Sequence, residues 1–296
     1  KEDLDPILSN CLTFGLRGSR GLVGAACALA WSGYHNNVRG LSSTWELIGY
    51  RDKELWGSLR NISSKSVLQV SKLKNVFSCN DYDGKIAMVP NSPCPVLWGF
   101  RGKDSKVLID NFNDLGPEKP VRWLLYQTNQ ATDDHFCFTD SLDIEENISI
   151  WIDVMVSSKV EVIKGGHRFI HVQDSGGKEA KCAIFEPSKN LRNVVDKLVI
   201  GDEITVCGSF SNGAINLEKL EITKLMPRYS KPPNPMCDCG ERTHSSGKNS
   251  KYRCNSCGKK YERPPLIIES PNLDLGWFEP PASSRRHLTK PIELMR

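Results

Sequence analysis

The chain has 296 residues, of which 39% are hydrophobic and 25% are charged, and its formal net charge is +4. A chain of this length can bury more than one apolar core, so two to four modules are expected. The small net charge does not by itself indicate a polyanionic partner, and no apolar run approaches the roughly 18 residues of a membrane helix. With no signal peptide at its start, the sequence predicts a soluble, cytoplasmic protein without a membrane partner.

The eleven cysteines fall into two groups. Seven are scattered through apolar or strand-like surroundings, and four lie within the 21 residues from Cys237 to Cys257. Disulfide frameworks belong to oxidising compartments and small secreted folds. The pattern therefore favours reduced, mostly buried thiols together with one metal site.

A glycine-rich segment, residues 17–31, leads into Ala- and Leu-rich sequence that favours a helix. Glycines before a helix allow backbone N–H groups to approach a phosphate, and arginines add positive charge. The candidate nucleotide-binding residues here are Arg17, Arg20, Gly21 and Gly24. The spacing matches neither the dinucleotide fingerprint nor a P-loop, so a tight turn with close helix packing explains it equally well.

The next region alternates strands and helices. Strands are predicted over residues 44–50, 86–90, 95–100 and 121–126, and the apolar period predicts a helix over residues 105–115. Arg101 follows the third of these strands, at a position where α/β folds often contact a ligand, although a structural arginine fits as well. This order is typical of an α/β catalytic portion.

A polar run follows the last of these strands, QTNQATDDHF at residues 127–136. It gathers an amide, a hydroxyl, two carboxylates and an imidazole, in Asn129, Thr132, Asp133, Asp134 and His135. A polar run at the carboxyl end of a strand is what an α/β active site would show. The alternative is a turn that its own side chains stabilise by hydrogen bonds.

From residue 148 the pattern changes to strands with little helix. Strands are predicted over residues 148–156, 167–172, 180–185, 203–208 and 215–225, with a helix at 190–198 between the third and fourth. Five strands in this order indicate an OB-fold barrel, which commonly binds single-stranded nucleic acid. The candidate stacking and phosphate-binding residues, several of which must instead face the core, are Trp151, His167, Arg168, Phe169 and Phe185.

After a proline-rich linker, two cysteine pairs indicate a zinc ribbon. Cys237, Cys239, Cys254 and Cys257 would hold one tetrahedral zinc. The first pair has one intervening residue where two are usual, so either that loop is tighter or His244 replaces one thiolate. The region around the ribbon has nine basic residues and three acidic ones, a balance that favours binding to a phosphate backbone. The basic residues are Arg228, Lys231, Arg242, Lys248, Lys251, Arg253, Lys259, Lys260 and Arg263.

Several long runs carry a resemblance to a known family. They are RGLVGA from residue 20, ELIGYR from 46, PNSPCPVLWGFRG from 90, TNQATDDHF from 128, AIFEPSKNLRNVV from 183, INLEKLEI from 215 and FEPPASSRRHLTKP from 278. Together with the cysteine ribbon, they resemble the archaeal tRNA(Ile) 2-agmatinylcytidine synthetases. The matches occur in order over nearly the whole chain.

The resemblance implies an activity and its cofactors. Family members use ATP to attach agmatine to carbon 2 of the wobble cytidine of a CAU-anticodon isoleucine tRNA. They contain a kinase-like domain, a ferredoxin-like domain, an OB-fold and a zinc ribbon. For this chain it implies ATP, magnesium and zinc as cofactors, and a tRNA held by the barrel and the ribbon. In the polar run, Asp133 and Asp134 would then bind a metal or a guanidinium, and His135 and Asn129 would position a phosphate or the base.

The implied organisation has four parts: an α/β kinase-like catalytic portion at 1–140, the OB-fold at 141–226, the ribbon at 227–265 and a C-terminal extension that folds back at 266–296. The family's GIDDTDS-type motif and phosphorylated threonine have no counterpart in residues 1–10. Much of the ferredoxin-like domain is also expected to be missing. A truncated product, or half of a split enzyme with a separate N-terminal chain, would explain this. The rival is a non-catalytic RNA- or single-strand-binding protein with a degenerate catalytic domain.

Overall fold

The structure, a computed structural model, describes residues 42–81, 83–245, 247 and 250–295. Within these ranges an α/β sheet domain is followed by a β-barrel and a small cysteine-containing ribbon, and a C-terminal segment then returns to the first two. This order confirms the predicted α/β portion followed by an OB-fold and a zinc ribbon. None of the described helices is both long enough and apolar enough to cross a membrane.

The first domain is an antiparallel sheet with two helices. Its elements are β1 (Thr44–Tyr50), α1 (Ser64–Val70), β2 (Val76–Phe77), β3 (Val96–Gly102), α2 (Ser105–Asn111) and β4 (Arg122–Thr128). The strand order β2-β3-β1-β4 and the βαββαβ sequence are those of a ferredoxin-like fold. The expectation that much of the ferredoxin-like domain is missing is therefore wrong.

Side-chain caps fix where both helices begin. Ser63 Oγ accepts the backbone N–H of Ser66 at 3.2 Å, and Asp104 Oδ1 accepts that of Lys106 at 2.9 Å. The helices cover one face of the sheet, where the core contains the following fully or almost fully buried side chains: Leu47, Val67, Trp98, Phe100, Leu108 and Leu115. Burial of these apolar groups, rather than propensity, holds such short helices in place.

The strand predicted over residues 86–90 does not form. Within the described residues, the β-pairing of this segment is limited to an isolated bridge between Ile86 and Asn80. It lies as a loop against β3, with the backbone N–H of Gly99 donating to the Met88 carbonyl at 2.9 Å and Met88 only 3% exposed. The run is apolar because the loop packs on the sheet. Apolar content alone does not distinguish such a loop from a strand of the sheet.

The second domain confirms the predicted OB-fold. Its elements are β5 (Phe136–Phe138), β6 (Ser149–Val156), β7 (Glu161–Val162), β8 (Arg168–Gln173), β9 (Glu179–Ile184), α3 (Asn190–Val195), β10 (Glu203–Ser211) and β11 (Ala214–Lys224). The five strands β6, β8, β9, β11 and β10 close on themselves because β6 pairs with both β10 and β8. Inward-facing Ile, Val and Leu residues from all five form the core.

A bulge in β11 at Glu218 lies opposite a glycine of β10. The register between β10 and β11 shifts at Gly208, and a Cβ there would lie 2.4 Å from the Asn216 carbonyl oxygen. Only a residue without a side chain allows the two backbones to approach so closely.

The last elements connect the ribbon to the other domains. The linker strand β12 (Arg228–Ser230) pairs with β16 (Ile267–Glu269), and the ribbon sheet contains β13 (His244–Ser245), β14 (Tyr252–Arg253) and β15 (Lys260–Tyr261). Next, β17 (Gly276–Phe278) pairs with β11 of the barrel. The segment 279–295 then runs along the junction between the barrel and the ferredoxin-like sheet.

Candidate functional site

The polar run after β4 lies where the sheet, the barrel and the C-terminal segment meet. Its backbone pairs with that segment: the N–H of Ala131 donates to the His287 carbonyl at 2.8 Å, and that of Asp133 to the Leu288 carbonyl at 3.0 Å. The run follows β4 of an antiparallel sheet, so the rule for carboxyl ends of parallel strands does not account for its position. Contacts with the barrel and the C-terminal segment position it.

Asp133 is the centre of a buried ionic contact. Its Oδ2 accepts the ammonium of Lys219 at 2.5 Å, and its Oδ1 accepts the backbone N–H of Lys290 at 2.7 Å. Lys219 is fully buried, and its Nζ lies 5.0 Å from the ring centre of Trp151 and 5.3 Å from that of Trp277. These rings stabilise the ammonium through their negative faces. Both Asp133 oxygens are thus occupied by protein donors.

His135 belongs to a second polar contact beside the first. Its Nε2 lies 3.0 Å from Glu218 Oε2, which also accepts the hydroxyl of Thr289 at 2.5 Å, and Arg286 lies 3.4 Å from the other oxygen. Glu218 is 5% exposed, and it follows directly after an inward-facing residue of β11. Both faces of β11 are therefore covered at this point. A lysine and a glutamate side by side in a buried strand were the sequence signal for this cluster, and it was missed.

The other predicted residues of the run are arranged differently. Thr132 is buried, and its hydroxyl donates to the Asn129 carbonyl at 2.7 Å and accepts the N–H of Asp134 at 3.3 Å. The side chain of Asp134 is exposed and that of Asn129 is half-buried. Thr132 therefore stabilises a turn by its own hydrogen bonds, as the alternative interpretation predicts. The polar groups of Asn129 and Asp134 remain available for contact with a ligand. Their catalytic role stays a prediction.

Arg101 lies beside the run but is already paired. Its guanidinium contacts Glu46 Oε1 at 2.8 to 2.9 Å, and Glu46 Oε2 accepts the amide of Gln130 at 2.7 Å. This chain of contacts links β3, β1 and the polar run. The predicted nucleotide contact of Arg101 stays a prediction, and the other candidates of that group lie outside the described residues: Arg17, Arg20, Gly21 and Gly24.

The predicted barrel contacts differ in how accessible they are. Arg168 pairs with Asp196 at 2.5 Å, and Trp151 packs between Phe138 and Trp277. The remaining candidates lie at or near the surface: His167 contacts Phe185, which is 45% exposed, and Phe169 lies under the ammonium of Lys181. Phe138 is 78% exposed, the most open aromatic ring of the described barrel, and the sequence did not single it out.

The four ribbon cysteines form one cluster. The sulfur atoms of Cys237, Cys239, Cys254 and Cys257 all lie within 4.8 Å of one another. Thiolates about 2.3 Å from a tetrahedral zinc are about 3.8 Å apart, so the cluster fits that ion. The tighter first loop is therefore sufficient, and the metal-ligand cluster does not include His244.

The surroundings of the Cys237 thiol lower its pKa. The backbone N–H of Cys239 and the Tyr261 hydroxyl, which lies 3.2 Å from Cys237 Sγ, lower the pKa of Cys237 to about 6. Hydrogen bonds to the thiolate favour the form that binds metal.

Comparison with known proteins gives family matches for two parts of the chain. Residues 19–135 match the family model of the TiaS FLD domain, and residues 234–271 match that of the TiaS C-terminal zinc ribbon domain. The first match contains the whole ferredoxin-like sheet. The second contains all four clustered cysteines.

Curated relatives match over most of the chain. The TiaS enzyme of Methanocaldococcus jannaschii, a tRNA(Ile) 2-agmatinylcytidine synthetase, is 35% identical over 93% of this chain and 64% of its own length. That of Methanosarcina mazei is 35% identical over 94% of this chain and 65% of its own length. The chain thus spans a little less than two thirds of the length of these relatives.

Solved structures match as well. The TiaS chain of a complex with an isoleucine tRNA and ATP has a TM-score of 0.77 and is 30% identical, over 99% of this chain and 73% of its own. An apo TiaS structure has a TM-score of 0.75 and is 33% identical, over 94% of this chain and 66% of its own.

Proposed function

Because this chain belongs to the tRNA(Ile) 2-agmatinylcytidine synthetase family, we propose that it takes part in the ATP-dependent attachment of agmatine to carbon 2 of the wobble cytidine of a CAU-anticodon isoleucine tRNA. The supporting observation is that similarity extends over the ferredoxin-like sheet, the barrel and the ribbon, in one order, to a chain solved with an isoleucine tRNA and ATP. The product would let the tRNA read AUA codons, in the cytoplasm where translation takes place.

The proposed reaction needs two kinds of assistance. The cytidine O2 oxygen is a poor leaving group until ATP phosphorylates or adenylates it, and agmatine attacks only as the free amine. The amine nitrogen then bonds to carbon 2, the bond from carbon 2 to the activated oxygen breaks, and that oxygen leaves with its phosphate or adenylate. Magnesium would neutralise the triphosphate, as in other phosphoryl transfers.

We propose two different roles for the residues of the polar run. Asp133 and His135 are held by Lys219 and Glu218, so they would keep the run in place. Asp134 and Asn129 have accessible polar groups, and we assign them the contacts with magnesium, agmatine or the base. This assignment refines the sequence-based set by using the hydrogen bonds of each member.

The barrel and the ribbon are proposed to hold the tRNA. Phe138 and Phe185 expose ring surface on which unpaired bases can stack, and unpaired cations of the ribbon would contact phosphates. The ribbon would hold one zinc through its four cysteines.

The proposed conjugation of agmatine to the wobble cytidine can be tested directly. The complete gene product that contains this chain is incubated with ATP, agmatine and the CAU-anticodon isoleucine tRNA, and the wobble nucleoside is analysed by mass spectrometry. We expect the mass of the agmatine adduct of cytidine, formed with loss of water. A transcript with uridine at the wobble position and a reaction without ATP serve as controls and should give no adduct. Tight tRNA binding without any adduct would instead favour the non-catalytic binder.

A further inference from the structure

The second cysteine pair of the ribbon forms a turn with the usual two intervening residues. The backbone N–H of Cys254 donates to the Lys259 carbonyl, and the N–H of Gly258 donates to the Cys254 carbonyl, both at 3.0 Å. The Cys254 sulfur accepts hydrogen bonds from the backbone N–H groups of Cys257 and Ser256. The main chain of this turn therefore supplies two donors to its first sulfur atom.

The first cysteine pair forms the same kind of turn with one residue fewer. The N–H of Cys237 donates to the Glu241 carbonyl at 2.8 Å, and the N–H of Gly240 donates to the Cys237 carbonyl at 2.9 Å. The Cys237 sulfur accepts the backbone N–H of Cys239. The N–H three positions after the first cysteine contacts the sulfur in the longer turn and the carbonyl in the shorter one. The shorter turn thus offers its sulfur one backbone donor fewer.

A tyrosine of β15 contacts the sulfur that has fewer backbone donors. The Tyr261 hydroxyl oxygen lies 3.2 Å from Cys237 Sγ, and it accepts the backbone N–H of Asp238 at 3.1 Å. A hydroxyl has a single proton, and the amide of Asp238 supplies the proton for one of these two contacts. The proton of the hydroxyl is therefore directed to the sulfur, so Tyr261 is the donor.

An ion pair lies over this tyrosine. Lys259 Nζ contacts the carboxylate of Asp238 and lies 5.7 Å from the ring centre of Tyr261, within the range of a cation–π contact. Both partners of the ion pair are exposed, so the pair by itself contributes little to stability. It does connect the residue between the first two cysteines to the end of the ribbon that carries Tyr261.

Hydrogen bonds to sulfur suit a zinc site made of four cysteines. Four thiolates bring four negative charges to an ion with two positive ones, and donors aimed at sulfur reduce the repulsion among them. Such donors also fix the orientation of the ligand, and losing one typically changes metal affinity by about 10- to 100-fold. A donor to Cys237 is therefore expected to affect how tightly the ribbon holds its ion.

We propose that Tyr261 is a positioning residue of the zinc site, and that its hydroxyl replaces the backbone donor that the shortened first turn lacks. It would hold the Cys237 sulfur in the orientation in which that thiolate binds zinc. A side chain 24 positions away thus completes a turn that local sequence leaves one residue short. This role concerns metal binding and does not depend on the chemistry proposed for agmatine.

The zinc affinity of the complete gene product tests this role. Tyr261→Phe removes the hydroxyl and keeps the ring beside Lys259, and competition with a chromogenic chelator measures the affinity. We expect a fall of about 10- to 100-fold. The matched control is Tyr252→Phe, which removes a hydroxyl from the cross-strand neighbour of Tyr261. Among the described residues that hydroxyl makes no hydrogen bond to a cysteine, so the control should keep the wild-type affinity.

Cobalt(II) in place of zinc reports on the sulfur atoms directly. Its d–d bands show whether the site is tetrahedral, and its charge-transfer bands depend on the energy of the sulfur lone pairs. Because a hydrogen bond lowers that energy, the charge-transfer bands of Tyr261→Phe should move to longer wavelength while the d–d bands keep their tetrahedral pattern. Wild-type zinc affinity with unshifted charge-transfer bands in Tyr261→Phe would overturn the proposal. An equal loss of affinity in Tyr252→Phe, or no zinc bound by the wild type, would also overturn it.

Discussion

At the scale of single residues, the ion pair between Asp133 and the fully buried Lys219 connects the polar run to β11 of the barrel. Asp133 stood out in the sequence because a carboxylate beside Asp134 and His135 can hold a metal. Its actual partner, Lys219, is 86 positions away on β11, and nothing local to Asp133 announces it. Sequence reasoning therefore placed Asp133 at the right junction and could not separate a ligand-binding carboxylate from a paired one.

The buried pair predicts a stability effect. Asp133→Asn leaves the ammonium of Lys219, which is fully buried, without a counter-charge, while the amide oxygen can still accept the N–H of Lys290. Breaking a buried ion pair from one side costs about 3–5 kcal/mol. Urea unfolding should detect this loss. The exposed neighbour provides the control: Asp134→Asn should change stability by less than about 0.5 kcal/mol. Equal stability of the two variants would show that the pair contributes little.

At the scale of elements, local signals located most strands. The alternation of residues 148–156 predicted β6 (Ser149–Val156) within one residue, because side chains facing the barrel core recur at every second position. The strand predicted at 86–90 does not form, because a loop that packs on a sheet can be as apolar as a strand. The C-terminal segment was expected to fold back, but its target depends on contacts between distant residues and has no local pattern.

The ribbon predicts a dependence on metal. Within its described residues the buried side chains are few, Cys237, Thr243, Tyr252 and Cys254, so the zinc replaces a hydrophobic core. Elemental analysis should find about one zinc per chain. Chelation, or Cys254→Ser, should expose residues 236–262 to limited proteolysis while the barrel stays resistant. Cys207→Ser, a buried barrel cysteine outside the cluster, should keep the zinc. A ribbon that resists protease without metal would contradict the site.

At the scale of the whole molecule, the C-terminal segment joins two domains. Its Ser283 N–H donates to Asp81 of the ferredoxin-like domain at 2.8 Å, and the Leu294 carbonyl accepts the ammonium of Lys103 at 3.3 Å. On the barrel side, the Thr289 hydroxyl donates to Glu218. The polar run lies along the same junction, because its backbone pairs with this segment. A ligand that reached this junction would contact both domains at once.

Ion pairs within the protein decide which cations of the ribbon region remain available for the proposed contacts with tRNA phosphates. Arg228 is held by Asp202 at 2.8 Å, Lys251 pairs with Glu262, and Lys259 pairs with Asp238. In the described ranges, five of the nine predicted cations make no ion pair: Lys231, Arg242, Arg253, Lys260 and Arg263. The basic balance read from the sequence therefore overstates the charge available for phosphates.

These unpaired cations predict the salt dependence of tRNA binding. Each phosphate contact releases counterions, so the slope of log affinity against log salt should decrease in magnitude by about one for each contact removed. Filter binding at several salt concentrations would compare wild type with Lys260→Gln and Arg263→Gln. Lys251→Gln is the control, and it should change the slope less because Glu262 already neutralises Lys251. A slope unchanged in both test variants would mean that the ribbon does not contact the tRNA backbone through these residues.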